Sequence, residues 1–490
     1  MMTQEAMRHV LKTGVMLSYE RDLNHLLDRV LYSVMELANC DAGTLYLLDG
    51  DVLRFKIMHT NSLGTHSGGD GRDPDMAPVP LRRENVCAFS LLEGRTIQIE
   101  NVRECEEYDF SGPIRYDAMT GYHTQSMLVV PMRNREGKKL GVIQLINALD
   151  EDGNIQAFPE DMILALESVT SQAAITIQNV VYMLEIKELF QSFVSAMSTA
   201  VDERSPYNAN HSRRMAQYGD RFADFLNARA QAAGEEPPFS PEHKEEWLMS
   251  IWLHDIGKLT APLEIMNKSE RLSPLQKEKL FQRLKTIRLR ARIEALEGRI
   301  TSEEYEALAQ ETREARETIE VMGTAGFLSD ENLAWLENLR TKTYTDEDGE
   351  EYPWLTDEDY VMLSIRKGTL SDEERKVMEE HVVVTDKLLS QIKFTANFAH
   401  VREWAAGHHE LLNGSGYPNH LKGEEIPMEV RMITILDIFD ALVADDRPYK
   451  PGMPVERALM ILKDMADKEG KLDSELTALF VESRSWEGIA

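Results

Sequence analysis

The amino-acid sequence predicts two folded parts: an α+β N-terminal domain with an antiparallel sheet flanked by helices, and an all-α helical bundle that carries a helical insertion. Residues up to about 160 alternate helical periodicity with short β-rich runs, whereas residues from 198 onward follow helical patterns almost throughout. Between them, residues 162–197 hold a long apolar repeat of helical spacing without Gly or Pro. A chain of 490 residues is long for a single core, so several domains are expected.

Charge and cysteine content limit the class of protein. A formal net charge of −30 disfavours binding along a nucleic acid polymer, because the phosphates would be repelled. The three cysteines, Cys40, Cys87 and Cys105, lack the number and spacing of a zinc site or a disulfide framework. No apolar run reaches the ~18 residues of a membrane span, and the charged N-terminus lacks the apolar stretch of a signal peptide. We therefore expect a cytoplasmic protein without a membrane span.

The N-terminal part is predicted to be a helix over residues 1–24 followed by a mixed domain over residues 25–161. The run LLDRVLYSVMELANC has apolar residues at helical spacing, and GTLYLLDGDVLRFKIMHT predicts two strands around a DGD turn. SMLVVPMRNREGKKLGVIQLINAL predicts a second hairpin around an REG turn, and a helix follows near Pro159. Helices around antiparallel strands are typical of small sensor domains.

This domain resembles a GAF sensor domain in the segments CDAGTLYLLDGD, TGYHTQSMLVVP and LGVIQLINA. The last two are similar to GAF domains that bind cyclic nucleotides, in which an Asn-Lys pair is followed by Phe and Asp-Glu. The resemblance implies Asn147, Phe158 and Asp161 as ligand-binding residues, although Ala148 and Met162 replace the Lys and the Glu. A domain that binds a small ligand and a ligand-free, dimerising domain both fit this pattern.

Residues 162–197 predict a connector helix. Apolar residues recur in it at intervals of three to five, as in Leu166, Val169, Ala173 and Ile177. This length and pattern favour a parallel coiled coil between two copies of the chain, and hence a homodimer. The alternative is a helix packed on its own domain.

The second part, residues 198–490, contains histidines and carboxylates in helical segments. His254-Asp255 ends an apolar helical run, and two adjacent histidines, His408 and His409, precede a glycine-rich turn. Asp437 belongs to a strongly apolar helical segment, in which a carboxylate needs a partner. Imidazole and carboxylate together suit Fe, Mn or Zn.

These features resemble the HD-GYP family of metal-dependent phosphodiesterases, a branch of the HD superfamily. The resemblance is carried by HSRRMAQYG, LHDIGKL, NKSERL, KGTLSDEERKVMEEH, HHELLNGSGYP, LDIFDAL and DRPYKPGMPVERAL. It implies an HD-type helical bundle and a metal centre in which Asp255 bridges the metals. The implied metal ligands are His211, His254, Asp255, His381, His408, His409 and Asp437.

The same resemblance implies the chemistry. A binuclear centre, Fe or Mn, would activate water for attack on cyclic di-GMP, giving pGpG and/or GMP, with Asp255 and Lys258 as catalytic residues. A third metal stays open, because the position of its glutamate in some members is Tyr207 here, and Glu203 lies a turn earlier. The implied substrate contacts are Lys258, Gly416, Tyr417, Arg447 and Lys450.

Two other functions stay open on the sequence. The first is an HD phosphohydrolase acting on another nucleotide, such as a mixed cyclic dinucleotide. The second is a catalytically silent adaptor that binds a cyclic dinucleotide in signal transduction. Loss of metal ligands would favour the adaptor, and the sequence retains all seven of those implied by the family.

An insertion at about 273–364 interrupts the family pattern. It predicts an antiparallel pair of helices, the first basic and the second acidic, with a capping signal at Ser302 for the second. KTYTDEDGEEYPWL then predicts a small hairpin around Asp348-Gly349. A lid or dimer accessory, or a basic face that admits an anionic substrate, would fit this segment.

Overall fold

The fold is given by a computed structural model, which describes residues 12, 14–16, 20, 22–69, 72–134, 136–204, 210–346, 348–444 and 452–489. The chain divides into two compact units, residues 1–190 and 191–490. The predicted N-terminal helix at residues 1–24 lies largely outside the described residues. Among the described helices, none has the length and apolar character needed to cross a bilayer.

The first unit is built around an antiparallel sheet, which confirms the predicted α+β class. The elements, in chain order, are α1 (Leu23–Ala38), β1 (Cys40–Asp49), β2 (Val52–Thr60), β3 (Thr65–Gly68), β4 (Val79–Pro80), α2 (Val86–Glu93), β5 (Ile97–Ile99), α3 (Ser111–Thr120), β6 (Met127–Arg133), β7 (Lys139–Leu149) and β8 (Ile155–Gln156).

The sheet order is β3-β2-β1-β7-β6-β5, with β4 beside β2 and β8 beside β7. Side chains alternate across it, so the sheet buries both faces. Leu45 packs into one apolar core with residues of α1, and the next residue, Tyr46, packs into the other core with residues of α2. β1 pairs with both β2 and β7 and therefore lies at the centre of the sheet.

A helix of 43 residues, α4 (Glu160–Asp202), follows the sheet. Its first half carries Leu166, Val169, Ala173 and Ile177, which are buried in the core beside α1. Further along the helix the apolar side chains of Ile186, Leu189 and Phe193 are 66%, 71% and 60% exposed. The apolar repeat therefore has two parts, one buried in the first unit and one open to solvent.

The second unit is largely helical, as predicted. Its helices are α5 (His211–Ala233), α6 (Pro241–Leu253), α7 (Leu263–Met266), α8 (Pro274–Leu296), α9 (Ser302–Thr324), α10 (Asp330–Arg340), α11 (Asp357–Leu363), α12 (Asp372–Leu389), α13 (Val401–Ala406), α14 (Met428–Val443), α15 (Val455–Asp467) and α16 (Ser474–Ser483); β9 (Thr343–Thr345) pairs with β10 (Glu351–Pro353), and short 3₁₀ turns lie at Ile256–Thr260, Ala396–Phe398 and Gly423–Glu425.

The insertion has an apolar core of its own. Residues of α8 and α9, including Leu284 and Ile319, pack with Trp354 just after β10. The helix pair and the hairpin follow the prediction, but α10 between them was not predicted. The capping prediction was off by one residue, because Thr301 and not Ser302 is the N-cap of α9, in a capping box with Glu304.

Candidate metal centre

The structure brings all seven candidate ligands into one site, from elements far apart in the chain. His211 is the first residue of α5, and His254 and Asp255 follow α6. The second set lies after the insertion: His381 is on α12, and His408 and His409 follow α13. Asp437, on α14, lies 3.4 Å from His211 Nε2 through its Oδ1. The site therefore assembles only when both sides of the insertion fold together.

Two groups of potential ligands form within the site. His381, His408 and His409 present ligand atoms within 4.8 Å of one another, and so do His211, His254 and Asp255. Each group has the composition of a transition-metal site, with imidazole nitrogen predominant. Two such groups side by side fit two metal ions.

Asp255 lies between the groups and faces both. Its Oδ1 is 3.5 Å from His381 Nε2 and 3.8 Å from His408 Nε2. Its Oδ2 is 3.4 Å from His254 Nε2 and 3.7 Å from His211 Nε2. One carboxylate thus presents one oxygen to each group, so metal ions held by the two groups would share it.

Asp437 spans the same gap. Its Oδ1 is 3.4 Å from His211 Nε2, and its Oδ2 is 3.9 Å from His409 Nδ1. The apolar sequence around Asp437 shows no evident partner for its carboxylate. In the structure, His211 and His409 are its partners.

Backbone carbonyls orient three of the imidazoles. Nδ1 of His254, His381 and His408 donates to the carbonyl oxygen three residues earlier, at 2.7, 2.6 and 2.7 Å. Each bond fixes the tautomer in which Nε2 carries the lone pair, and such bonds are typical around metal-ligating histidines.

Several of these ligand atoms are buried without a hydrogen-bond partner among the described residues. They are His381 Nε2, His408 Nε2 and Asp255 Oδ1. An unpaired buried polar atom costs roughly 1–3 kcal/mol, so three together need a partner. A metal ion is a partner that all three accept, and the residues present therefore fit the metal centre implied by the sequence.

His211 is held from its other side. Its Nδ1 lies 2.8 Å from Asp440 Oδ2, and Arg214 donates to Asp440 through Nε and Nη2 at 2.8 and 2.9 Å. Asp440 is buried on the same face of α14 as Asp437. The sequence showed this carboxylate but not its partners, which lie more than 220 residues away.

The shifts in pKa keep most of these side chains unprotonated at neutral pH, so that they can donate an electron pair to a metal. Burial lowers the pKa of His409 to about 3 and lowers the pKa of His381 as well. For Asp437, burial would raise the pKa, but the hydrogen bond with His211 and the charges of nearby histidines lower it. His211 differs: burial alone would lower its pKa, but Asp437 and Asp440 raise it to about 10.

Lys258 brings a positive charge to the site from the 3₁₀ turn at Ile256–Thr260. Its Nζ donates to Asp255 Oδ2. Burial would lower the pKa of Lys258, but Asp255 and Asp437 outweigh it and raise the pKa. Lys258 is therefore a cation at neutral pH, beside the bridging carboxylate.

Close packing fixes this turn. Gly257 N donates to Thr385 Oγ1 at 3.0 Å, and Thr385 Oγ1 donates to the His254 carbonyl at 3.0 Å. A Cβ at Gly257 would lie 1.9 Å from the carbonyl oxygen of His381, so only glycine fits between the two segments. Thr385 was not identified from the sequence, because its role depends on contact between distant helices.

The glycine-rich loop folds back on the histidine pair. Tyr417 N donates to the His409 carbonyl at 3.2 Å, and the two rings are 4.8 Å apart. A Cβ at Gly416 would lie 2.3 Å from Leu411 N. Buried Glu410, which sequence reasoning missed, holds the far side of the loop by accepting from Asn419 N at 2.6 Å and from Leu421 N at 3.0 Å.

Arg447 and Lys450, like Tyr207, lie outside the described residues. Glu203 is exposed just after the end of α4.

The three candidate ligand residues of the first unit lie in different environments. The Asn147 amide is buried and fully bonded: it donates to Tyr122 Oη at 3.0 Å and to the His123 carbonyl at 2.7 Å, and it accepts from a backbone amide. Phe158 packs in the apolar core, and Asp161 is exposed on the first turn of α4. In this structure Asn147 therefore serves the fold.

The fold shows an α+β domain followed by a helical domain with a candidate metal centre, and comparison with known families agrees with this division. A model described as GAF domain matches residues 22–177, and one described as HD domain matches residues 296–476. Residues 22–177 are therefore similar to a GAF domain and residues 296–476 to an HD domain. The HD match includes His381, His408, His409 and Asp437, whereas the other three ligands precede the insertion.

Curated relatives match over short stretches. A 3'3'-cGAMP-specific phosphodiesterase 3 of Vibrio cholerae is 37% identical over 20% of this chain and 21% of its own length. The cyclic di-GMP phosphodiesterase response regulator RpfG of Xanthomonas campestris is 41% identical over 21% and 26%, and a cyclic di-GMP phosphodiesterase of Thermotoga maritima is 35% identical over 22% and 28%. The chain thus spans about a quarter of the length of these relatives.

Proposed function

We propose that this chain is a metal-dependent phosphodiesterase that hydrolyses cyclic di-GMP to pGpG and/or GMP. The observation that carries the proposal is Asp255, whose two oxygens face two separate groups of histidines. Two metal ions bound there would lower the pKa of water and stabilise the charge that develops on a phosphodiester. We propose Fe or Mn in a binuclear centre, since imidazole-rich sites with carboxylates suit these metals.

The residues of the chain have separate roles in this proposal. His381 and His409 bind as neutral imidazoles, since burial lowers the pKa of both. Asp255 and Asp437 join the two groups. The Lys258 ammonium stabilises negative charge on the scissile phosphate, because it is buried and charged at neutral pH.

The proposed substrate is inferred from the activities of similar proteins. RpfG of Xanthomonas campestris and the Thermotoga maritima protein are described as cyclic di-GMP phosphodiesterases. The Vibrio cholerae relative is described as 3'3'-cGAMP-specific, which makes this mixed cyclic dinucleotide the second candidate. Turnover of both compounds by the same preparation, measured side by side, distinguishes the two. Tyr417 lies against His409 and is the described residue of the glycine-rich loop that we propose contacts substrate.

The test is metal analysis together with cyclic dinucleotide hydrolysis on protein purified anaerobically. The wild type is expected to retain about two metal ions and to turn over substrate, whereas Asp255→Ala is expected to lose both properties. Full activity in Asp255→Ala would refute the assigned site. A wild type that binds cyclic dinucleotide without hydrolysing it would instead support the adaptor.

We also propose that the chain forms a homodimer and that the GAF domain regulates hydrolysis. The exposed residues Ile186, Leu189 and Phe193 recur at intervals of three and four on α4, which is the spacing of a coiled-coil contact. A cytoplasmic location remains part of the proposal, because Cys40, Cys87 and Cys105 are free thiols within the described residues.

A further inference from the structure

The C-terminal end of α4 is packed as part of the second unit, which begins at residue 191. Val194, Val201 and Asp202 are all buried there, and their spacing places them on one face of the helix. On the exposed side, Gln191 Nε2 donates to Glu245 Oε1 of α6 at 3.0 Å. The last turns of α4 therefore belong to the same folded unit as the candidate metal centre.

Asp202, the last residue of α4, bonds the start of α5. Its side chain is buried, and its Oδ2 accepts from Ser212 N while its Oδ1 accepts from Ser212 Oγ, both at 3.1 Å. Ser212 is itself buried and directly follows the candidate ligand His211. The end of one helix is thus bonded to the first turn of the next helix, one residue away from a candidate ligand.

This carboxylate has the role that an N-cap side chain usually has. The N-cap residue of α5 is Asn210, whose side chain forms no capping hydrogen bond among the described residues. The amide groups of a first helical turn have no partner inside their own helix, and a negative charge is favourable beside them. Asp202 supplies both the acceptor and the charge, so the placement of His211 at the start of α5 depends on the end of α4.

Arg204, two residues further along, holds the segment that carries Lys258. Its Nη1 donates to the carbonyl oxygens of Lys258, at 2.8 Å, and of Leu259, and its Nη2 donates to the carbonyl oxygen of Ala261 at 3.3 Å. Carbonyl groups at the end of a helical turn have no partner within the turn, and the planar guanidinium offers several donors to them. A single side chain therefore caps the 3₁₀ turn at Ile256–Thr260.

Both segments lead to the same oxygen atom of the candidate site. His211 Nε2 lies 3.7 Å from Asp255 Oδ2, and Lys258 Nζ donates to that oxygen. The distances around this oxygen therefore depend on how the start of α5 and the 3₁₀ turn are placed relative to each other. A misplacement of about 1 Å at a reacting centre can cost roughly 100-fold in rate.

We infer that Asp202 and Arg204 are positioning residues, which set the first candidate ligand relative to the ammonium group of Lys258. Neither side chain is a candidate metal ligand, and each acts through the segment to which it is bonded. Because the two residues lie two positions apart at the end of α4, a displacement of that end would move both segments together. This inference rests on the proposed phosphodiesterase function and names the residues through which α4 would control it.

Steady-state kinetics of the full chain, with Mn²⁺ in excess over protein, measure the positioning. The double variant Asp202→Ala/Arg204→Ala is expected to lower kcat about 10- to 100-fold with little change in KM, because geometry at the reacting centre is lost while the other substrate contacts stay. The matched control is Asp224→Ala/Arg229→Ala, which removes the same two charges from α5, where these side chains are 63% and 53% exposed. This control is expected to keep the kcat of the wild type.

The single variants test whether the two residues act together. Mutations at independent positions add in free energy, whereas mutations at coupled positions do not. Asp202→Ala and Arg204→Ala are each expected to lose nearly as much kcat as the double variant, because displacing either segment changes the same distances. Two separate losses that multiply to the loss of the double variant would overturn the inference that the residues set the segments relative to each other.

Conservative variants separate the hydrogen bonds from the charges. Asp202→Asn keeps an acceptor for the Ser212 amide and is expected to recover part of the kcat that Asp202→Ala loses. Arg204→Lys keeps the charge but not the planar set of donors, and it is expected to resemble Arg204→Ala. Equal kcat in Asp202→Asn and Asp202→Ala would exclude the bond with Ser212 as the cause.

Hydrogen exchange gives a readout that does not require activity. The Ser212 amide is expected to exchange faster in Asp202→Ala, and the amides of residues 257–261 are expected to exchange faster in Arg204→Ala. The core of α14 is expected to keep its protection in both variants. Protection in α14 shows that the second unit is folded, so a lower kcat then reports positioning and not unfolding.

Unchanged kcat in the double variant would overturn the positioning role. A lower kcat without faster exchange in these amides would overturn it as well, since the loss would then have another source. A wild type that hydrolyses neither cyclic dinucleotide would instead remove the proposed function. Exchange alone would then decide whether Asp202 and Arg204 hold the two segments.

Discussion

At the scale of single residues, the candidate metal centre depends on side chains that do not themselves bind metal. Asp440 is the clearest example, because it joins Arg214 to His211 and is buried between them. Partners of this kind fix the orientation of a ligand and increase its basicity. The candidate site is therefore larger than its seven candidate ligands.

Asp440→Asn is expected to weaken metal binding about 10- to 100-fold, because the imidazole of His211 loses its anionic partner while the side chain keeps its size. Metal content after dialysis against a graded series of chelator concentrations measures the effect. Asp386→Asn is the matched control, since Asp386 forms an ion pair with Arg402 on an exposed surface. Equal retention of metal by both variants would contradict the role of Asp440.

Gly257→Ala is expected to destabilise the second unit by about 1–3 kcal/mol and to reduce its metal content, since the new Cβ would meet the His381 carbonyl at 1.9 Å. The urea midpoint and the metal content report the two effects. Gly326→Ala is the control, because a Cβ there would have no described atom within 4 Å. A urea midpoint unchanged from the wild type would show that the segments around Gly257 and His381 can move apart at little cost in stability.

Much of the centre could be predicted because its ligands have recognisable neighbours in sequence. Asp255 follows His254 and precedes Gly257-Lys258, a pattern visible in one stretch. Glu410 and Thr385 could not be predicted in the same way, since their hydrogen bonds reach other segments. Asn147 had the residue type of a ligand contact, but its burial and three hydrogen bonds depend on the folded sheet.

At the scale of elements, the insertion is a small structure with its own core. α8, α9 and α10 pack around Trp354, whose indole Nε1 donates to the Thr343 carbonyl at 3.3 Å. Buried Arg271 ties this structure to the domain by donating to the carbonyls of Met322, Ala325 and Ile365. The pattern of charges predicted the helix pair, but α10 is short and its apolar residues gave no separate signal.

Trp354→Ala is expected to destabilise the insertion by about 3–5 kcal/mol, through loss of a large side chain that is 2% exposed. The metal ligands lie outside this core, so metal content is expected to remain close to that of the wild type. Thermal unfolding and metal analysis on the same sample measure both. Tyr352→Ala, an exposed residue of the neighbouring strand, is the control, and loss of metal in Trp354→Ala would show that the insertion supports the centre.

At the scale of the whole molecule, the proposed dimer rests on the exposed part of α4. This part carries an exposed apolar patch made of Ile186, Leu189 and Phe193, and such patches often mark interaction surfaces. A second copy of the helix would cover the patch. The repeat in the sequence predicted an apolar stripe along α4. It could not show which part of the stripe is buried, because that burial depends on α1 and the sheet.

Leu189→Glu combined with Ile186→Glu is expected to convert a dimer to a monomer, since two charges would be buried at the contact without partners. Light scattering after size-exclusion chromatography gives the mass of each species. Glu188→Lys changes the charge of an exposed neighbour outside the stripe and is the control. A dimer that persists in the double variant would place the contact elsewhere.

The division of the ligands by the insertion also sets an order of events during synthesis. His211, His254 and Asp255 leave the ribosome well before His381, His408, His409 and Asp437, with α8 to α11 translated between them. The Asp255 carboxylate can meet the later histidines only after the segments that carry them have been synthesised. The candidate metal centre can be completed only after α8 to α11 have been translated.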